Sequence, residues 1–170
     1  MDSKQQRFNA LVNALYADIY RYAFWLCKNR SVAEDLVQET YLRAWRSFER
    51  LKDEKAAKAW LITILRHEHA RMYERFQPDL VDITDFPLAD QSTGPGQFME
   101  TQLLQNTIAQ LEIEFREPLM LQIIGGFSTE EISSILKLNK NTVLTRLYRA
   151  RNKIKDSLSD NNLQRGNSHG

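Results

Sequence analysis

The chain has 170 residues, 42% of them hydrophobic, with 3 Trp, 6 Tyr and 8 Phe, enough to build a core and to exclude wholesale disorder. Its single cysteine, Cys27, excludes an internal disulfide framework and any multi-cysteine zinc site. No apolar run approaches the ~18 residues that span a bilayer. Met1 to Asn9 is polar, so no signal peptide is expected and the reducing cytoplasm is the expected address.

In chain order, residues 8–76 show helical periodicity and contain neither Pro nor Gly. The first helix is predicted over about 8–28, with apolar positions Phe8, Leu11, Val12, Leu15, Ile19, Tyr22, Ala23 and Leu26. Cys27 follows Phe24-Trp-Leu and reads as a small buried hydrophobe. Ser31 and Glu34 have capping-box spacing, which predicts a second helix from Ser31 to about Phe48. At 100° per residue Ala33, Leu36, Val37, Thr40, Tyr41, Ala44 and Phe48 share its inner side. Asp35, Gln38, Glu39, Leu42 and Arg46 lie opposite. An apolar Leu42 among four polar side chains has two readings, a docking surface or a solvated face with one stray leucine.

A third helix is predicted from near Lys55 to about Phe76, with Leu61, Ile62, Leu65, Met72, Tyr73 and Phe76 as its core stripe. Its far side aligns Trp60, Thr63, His67 and Arg71. An aromatic, a hydroxyl, an imidazole and a guanidinium in one row suit stacking and phosphate contact with single-stranded nucleic acid. Burial of Trp60 against the first helix is the competing reading. Gln77–Gln97 then holds three of the four prolines and four aspartates with no Lys or Arg, the composition of an extended acidic linker.

Residues 98–158 are helical again, interrupted by a turn at Gly125-Gly126. Ser128 and Glu131 form a capping-box pair ahead of a short helix, and Asn139 is placed to cap the next one. From Lys137 to Lys155 there are seven Lys or Arg and no Asp or Glu, a charge of +7 in a protein of net +1. On that last helix Val143, Leu147, Ala150 and Ile154 form a narrow buried stripe. Asn141, Thr145, Tyr148, Arg149 and Asn152 point away from it, flanked by Leu144, Arg146 and Arg151. A buried stripe opposite a polar, basic face is how a recognition helix enters the major groove. The tail after Asp160 is expected to be disordered.

No β-alternation of useful length appears, so the expected fold is all-α: two small helical domains, 1–76 and 98–160, joined by a flexible linker, 77–97, and followed by a tail, 161–170. Enzymatic chemistry has no visible machinery. His67 and His69 stand two apart, on different helix faces, and there is no nucleophile elbow, phosphate-binding glycine loop or dinucleotide fingerprint. No metal, cofactor or small-molecule substrate is expected.

The stretch Ala33-Glu-Asp-Leu-Val-Gln-Glu-Thr-Tyr-Leu-Arg-Ala-Trp45 resembles region 2 of bacterial RNA polymerase sigma factors of the extracytoplasmic function (ECF) group, and Ala59-Trp-Leu-Ile-Thr-Ile-Leu-Arg66 resembles their following promoter-reading helix. Gly126-Phe-Ser-Thr-Glu-Glu-Ile and Thr142-Val-Leu-Thr-Arg-Leu-Tyr-Arg-Ala-Arg151 resemble their region 4. Both motifs stand in the right order, across a linker, and together cover about 12–158. The resemblance implies a region 2 helical bundle and a region 4 helix-turn-helix, serving a promoter-specificity subunit of core RNA polymerase. It implies that Asp35, Gln38, Glu39 and Leu42 dock on the polymerase clamp helices. It assigns the −10 element and melted bases to Lys52, Asp53, Glu54, Lys55, Trp60, Thr63, His67 and Arg71. The −35 element falls to Leu144, Thr145, Tyr148 and Arg149, with Arg146 on phosphate. Implied partners are core RNA polymerase, promoter DNA and an anti-sigma factor, soluble or membrane-anchored.

Several positions depart from the family pattern. Leu144 stands where Lys or Arg is usual, Lys137 where the turn glycine is usual, Ser133 for a small Ala, Glu112 for the Pro that starts region 4, and Arg71 where Asp is frequent. Two other classes stay open on sequence alone: a stand-alone helix-turn-helix regulator, and an enzyme carrying a helical domain.

Overall fold

A left-handed lysine closes the first helix and reverses the chain. The computed structural model describes residues 3–75 and 95–166, the latter with side chains from Met99 on. α1 (Lys4–Cys27) starts at a capping box, Ser3 Oγ accepting from Gln6 N–H while Gln6 Oε1 accepts from Ser3 N–H, and ends where Lys28 turns to φ 53°. Asn29, not Ser31, caps α2 (Arg30–Ser47): its side-chain oxygen accepts from Val32 N–H at 3.1 Å. The Ser31–Glu34 capping box is absent because Ser31 already lies inside the helix and Glu34 pairs with Arg30 at 3.2 Å. Two linking residues leave room only for an antiparallel hairpin of helices. A 3-10 turn (Phe48–Arg50), a short loop and a second 3-10 turn (Glu54–Ala56) lead into α3 (Ala57–Arg75).

These three helices close around Ile19, Tyr22, Ala23, Leu36, Val37, Ala44, Leu61, Ile62 and Leu65, all 2% exposed or less. Thr40 is fully buried, and its hydroxyl donates to Leu36 C=O at 2.7 Å, so that hydroxyl is not stranded. Cys27 is buried as expected; burial pushes its thiol up to about 12, so it stays protonated and inert. Tyr73 departs from the predicted stripe: it is 49% exposed, its ring centroid 4.9 Å from that of His69.

The second unit comprises α4 (Pro95–Gln110), α5 (Ile113–Ile123), α6 (Thr129–Leu136) and α7 (Lys140–Gly166). Residues 95–97, read as linker, form the first turn of α4, with Pro95 at the one helical position where its missing N–H costs nothing. Phe76 and the rest of the linker lie outside the described residues. α5 ends in the Gly125-Gly126 turn. Gly126 is left-handed at φ 66°, and a Cβ on Gly125 would sit 2.4 Å from the Phe127 ring. Ser128 and Glu131 form the expected capping box of α6, and Asn139 Oδ1 accepts from Asn141 N–H at 2.8 Å at the start of α7. Residues 161–166, expected to be disordered, continue α7, because extending an existing helix avoids the cost of nucleating one and no Pro or Gly intervenes before Gly166. Among the described residues there is no strand.

The two units touch through α1 against α5 and α3 against α6. At their seam Glu117 Oε1 accepts from Tyr22 O–H at 2.7 Å and from Arg66 Nε at 2.5 Å. Arg66 Nη1 reaches on to Ile135 C=O at 2.9 Å, and Lys28 Nζ donates to Ala109 C=O at 3.1 Å. Burial, then the Glu117 charge, holds the Tyr22 phenol well above its ordinary range, so it remains a donor.

Candidate nucleic-acid and protein interfaces

The outer face of α2 carries Asp35, Gln38 and Leu42 in the open, with Leu42 50% exposed in spite of its apolar side chain. Glu39 is half-buried beside Arg43, its carboxylate 3.6 Å from Arg43 Nε. Gln38 and Leu42 also form one lip of a groove of about 670 Å³ between α1 and α2, floored by Phe8, Val12, Val37 and Trp45, with Tyr16 46% exposed on the opposite lip. Sequence spacing missed this groove and Tyr16. The aromatic crowding of Phe8 against Tyr41, Trp45 and Phe48 that shapes it joins residues more than thirty positions apart.

Lys52, Asp53, Glu54 and Lys55 are all exposed, but two of them have intramolecular work. Asp53 caps the 3-10 turn, accepting from Lys55 N–H at 3.0 Å, and Glu54 accepts from Arg7 of α1 at 3.1 Å. On α3, Trp60, Thr63, His67 and Arg71 fall along one side over about 16 Å of helix. Trp60 and Thr63 are half-buried; His67 and Arg71 are exposed. Trp60 thus divides between its two readings, packed on the core along part of its surface and open along the rest. The Thr63 hydroxyl donates to Ala59 C=O at 2.9 Å, and Arg71 Nη1 lies 3.7 Å from Glu68.

On α7 Val143, Leu147 and Ala150 are buried and Ile154 partly so, as the stripe predicts. Leu144 (46% exposed), Thr145, Tyr148 (68%) and Arg149 face solvent, with Arg146 half-buried. Thr145, Arg146 and Arg149 line a shallow depression of about 360 Å³ with Asn141, Glu114 and Phe115. The seven cations of this segment do not act as one patch. Lys140 pairs with Glu130 at 2.5 Å, Arg151 contacts Gln122, and Lys153 lies 5.1 Å from the Phe115 ring centroid. Among the described residues no carboxylate pairs with Arg146 or Arg149, so their charge is available to a polyanion. Ser133 closes the inter-helix turn, donating to Leu138 C=O at 2.5 Å.

These surfaces offer contact, charge and stacking. Among the described residues no His, Cys, Asp and Glu group could hold a metal ion, and no helix is long and apolar enough to cross a membrane.

Comparison with known proteins accounts for the arrangement. Residues 11–81 match the Sigma-70 region 2 family and residues 101–154 match Sigma-70 region 4. The ECF RNA polymerase sigma factor SigL of Mycobacterium tuberculosis is 34% identical over 151 residues, covering 83% of this chain and 85% of that protein. SigX of Bacillus subtilis, also an ECF RNA polymerase sigma factor, is 25% identical over 156 residues, covering 85% and 80%. Among solved structures, the sigma factor RpoE in complex with the anti-sigma factor NepR from Bartonella quintana superposes with a TM-score of 0.66 at 26% identity, covering 91% of this chain and 96% of that one. CnrH, solved with the cytosolic domain of CnrY, shares the fold with a TM-score of 0.67 at 24% identity, covering 92% and 90%. With region 2 on the α1–α3 bundle and region 4 on the α4–α7 unit, the chain belongs to the ECF family of RNA polymerase sigma factors and serves promoter-directed initiation of transcription.

Proposed function

We propose that the division of labour within this sigma factor follows its three exposed faces. The α2 face of Asp35, Gln38, Glu39 and Leu42 docks on core polymerase. The Lys52–Lys55 loop and the Trp60, Thr63, His67 and Arg71 row meet the −10 element and its unstacked bases. Leu144, Thr145, Tyr148 and Arg149 enter the −35 major groove, with Arg146 on phosphate. The units doing this span 1–76 and 98–160. The protein performs no catalysis of its own and works in the cytoplasm with core polymerase and promoter DNA.

The observation that carries this reading is the state of the α7 outer face. Among the described residues Arg146 and Arg149 stand without carboxylate partners beside an exposed Tyr148, on a helix whose opposite stripe is buried. Exposed Leu42 and Tyr16 on the lips of an apolar groove support a further protein partner, an anti-sigma factor of the kind bound to the similar solved structures.

Purified protein added to core polymerase is expected to yield specific transcripts from linear promoter DNA of its own genome. Duplex binding by the protein alone, with core left unable to initiate, would overturn the assignment in favour of a stand-alone regulator.

A further inference from the structure

Four polar side chains are buried among the described residues: Thr40, Glu68, Thr107 and Arg116. Thr40 and Thr107 donate to carbonyls of their own helices, and Arg116 donates to Ala109 and Leu111 C=O within its own unit. Glu68 differs. Its carboxylate, 8% exposed, sits on α3 between two guanidinium groups, one from the docking helix α2 and one from the promoter face of α3.

One partner is Arg43 of α2, whose Nε is shut off from solvent and lies directly against Glu68 Oε1. The same Nε is 3.6 Å from Glu39, a member of the proposed docking face. The other partner is Arg71, one turn along α3, whose Nη1 is 3.7 Å from Glu68 and whose side chain is 53% exposed on the proposed promoter face. Glu39, Arg43, Glu68 and Arg71 thus alternate in sign from the outer face of α2 to the outer face of α3. A buried carboxylate needs such partners, and it restrains them in return.

We infer that Glu68 is a positioning residue for promoter opening: its buried carboxylate holds the Arg71 guanidinium against the promoter face of α3 and ties that helix, through Arg43, to the polymerase-docking helix. The inference rests on the assignment of the α2 and α3 faces proposed above. Arg71 alone on an exposed helix would sample many rotamers; beside a fixed anion it is presented to phosphate or base in a restricted set, which lowers the entropy lost on contact. The Arg43 link keeps α3 in register with α2, so that docking and reading occur on one rigid piece.

The test uses holoenzyme reconstituted from core polymerase and the full chain, on a promoter selected from genomic DNA by the wild-type holoenzyme. Core affinity, thermal melting and the rate of open-complex formation, read by permanganate reactivity of thymines at −10, are measured for Glu68→Gln, Arg71→Ala and the double variant. Glu68→Gln is expected to keep core affinity within about twofold and to slow opening about tenfold. Arg71→Ala should slow opening to a similar degree, and the double variant should be no slower than either single one. Glu68→Asp should recover part of the rate. Should Glu68→Gln fail to fold, Arg43→Met with Glu68→Met removes both charges of that contact while keeping helix packing, and should show the same slow opening. Normal opening by Glu68→Gln while Arg71→Ala is slow overturns the positioning role and leaves the face assignment standing, as does a double variant whose effects multiply. Normal opening by Arg71→Ala overturns the face assignment at Arg71, and the role of Glu68 with it.

Discussion

Lys137 adopts φ 53° at the end of α6, a backbone region where a Cβ crowds the following carbonyl oxygen. Its N–H and that of Leu138 both reach Ser133 C=O, and the Ser133 hydroxyl closes back on Leu138 C=O, so the turn is held in spite of the strain. Lys137→Gly is expected to stabilise the protein by about 1 kcal/mol, read as a rise in the denaturant midpoint at unchanged slope. Arg149 tests recognition rather than folding. With no carboxylate partner among the described residues its removal leaves no orphaned charge there, so Arg149→Ala should weaken −35 binding by roughly 1–3 kcal/mol and leave stability untouched. Titration against a panel of −35 sequences separates two roles: a loss confined to one base position marks a base contact, and a uniform loss with a shallower salt dependence marks phosphate. Leu144, exposed where the family favours a cation, offers an apolar contact such as a thymine methyl accepts.

At the scale of the element, α2 serves two surfaces. Its inner stripe is buried against α1 and α3, while Leu42 leaves half its area in water, area that a docked partner would bury. Asp35→Ala combined with Leu42→Ala is expected to reduce core affinity by tenfold or more without changing helical content, measured by fluorescence titration with labelled protein and by circular dichroism. Unchanged affinity would remove α2 from the docking role. Much of this element was legible, because a 3.6-residue period sorts inner from outer positions without knowledge of neighbours. Its start was not. Asn29 and Ser31 are both good caps by chemistry, and the choice fell to Asn29 because Lys28 had already reversed the chain. The groove beside Leu42 was illegible for a different reason: its floor combines α1 and α2 side chains that only tertiary packing brings together.

Over the whole molecule, the two units share a seam centred on Glu117, which accepts from both Tyr22 and Arg66. A compact chain of this length has a radius of gyration of about 15 Å and a diameter of about 40 Å. Elements centred near −10 and −35 are separated by about 25 base pairs, or roughly 85 Å at 3.4 Å per pair. One closed body of that size does not span both, so the proposed promoter assignments predict that the seam parts when the promoter is bound. Glu117→Ala removes the shared acceptor and leaves Arg66 with the Ile135 carbonyl and the Tyr22 hydroxyl. The free variant is expected to expand in small-angle scattering and to bind core polymerase more tightly than wild type by severalfold. An unchanged radius would show that the apolar contact of α1 with α5 holds the seam without the ion pair.

The sequence by itself determined α1 to α3, α6 and α7, most of their buried stripes, the capping box of α6 and the concentration of cations on α7, since each depends on residues within a few turns of one another; it did not show the break between α4 and α5. Its expectation for 161–166 failed because local composition does not register that a helix already under way extends cheaply. Tertiary structure alone decided which cations are free and which are engaged, because Glu130, Gln122 and the Phe115 ring come from other helices. It also decided that Glu68 is buried between Arg43 and Arg71, and that Glu117 bridges the two units. Ion pairs between distant positions carry no periodicity; they exist only once packing has brought the charges together.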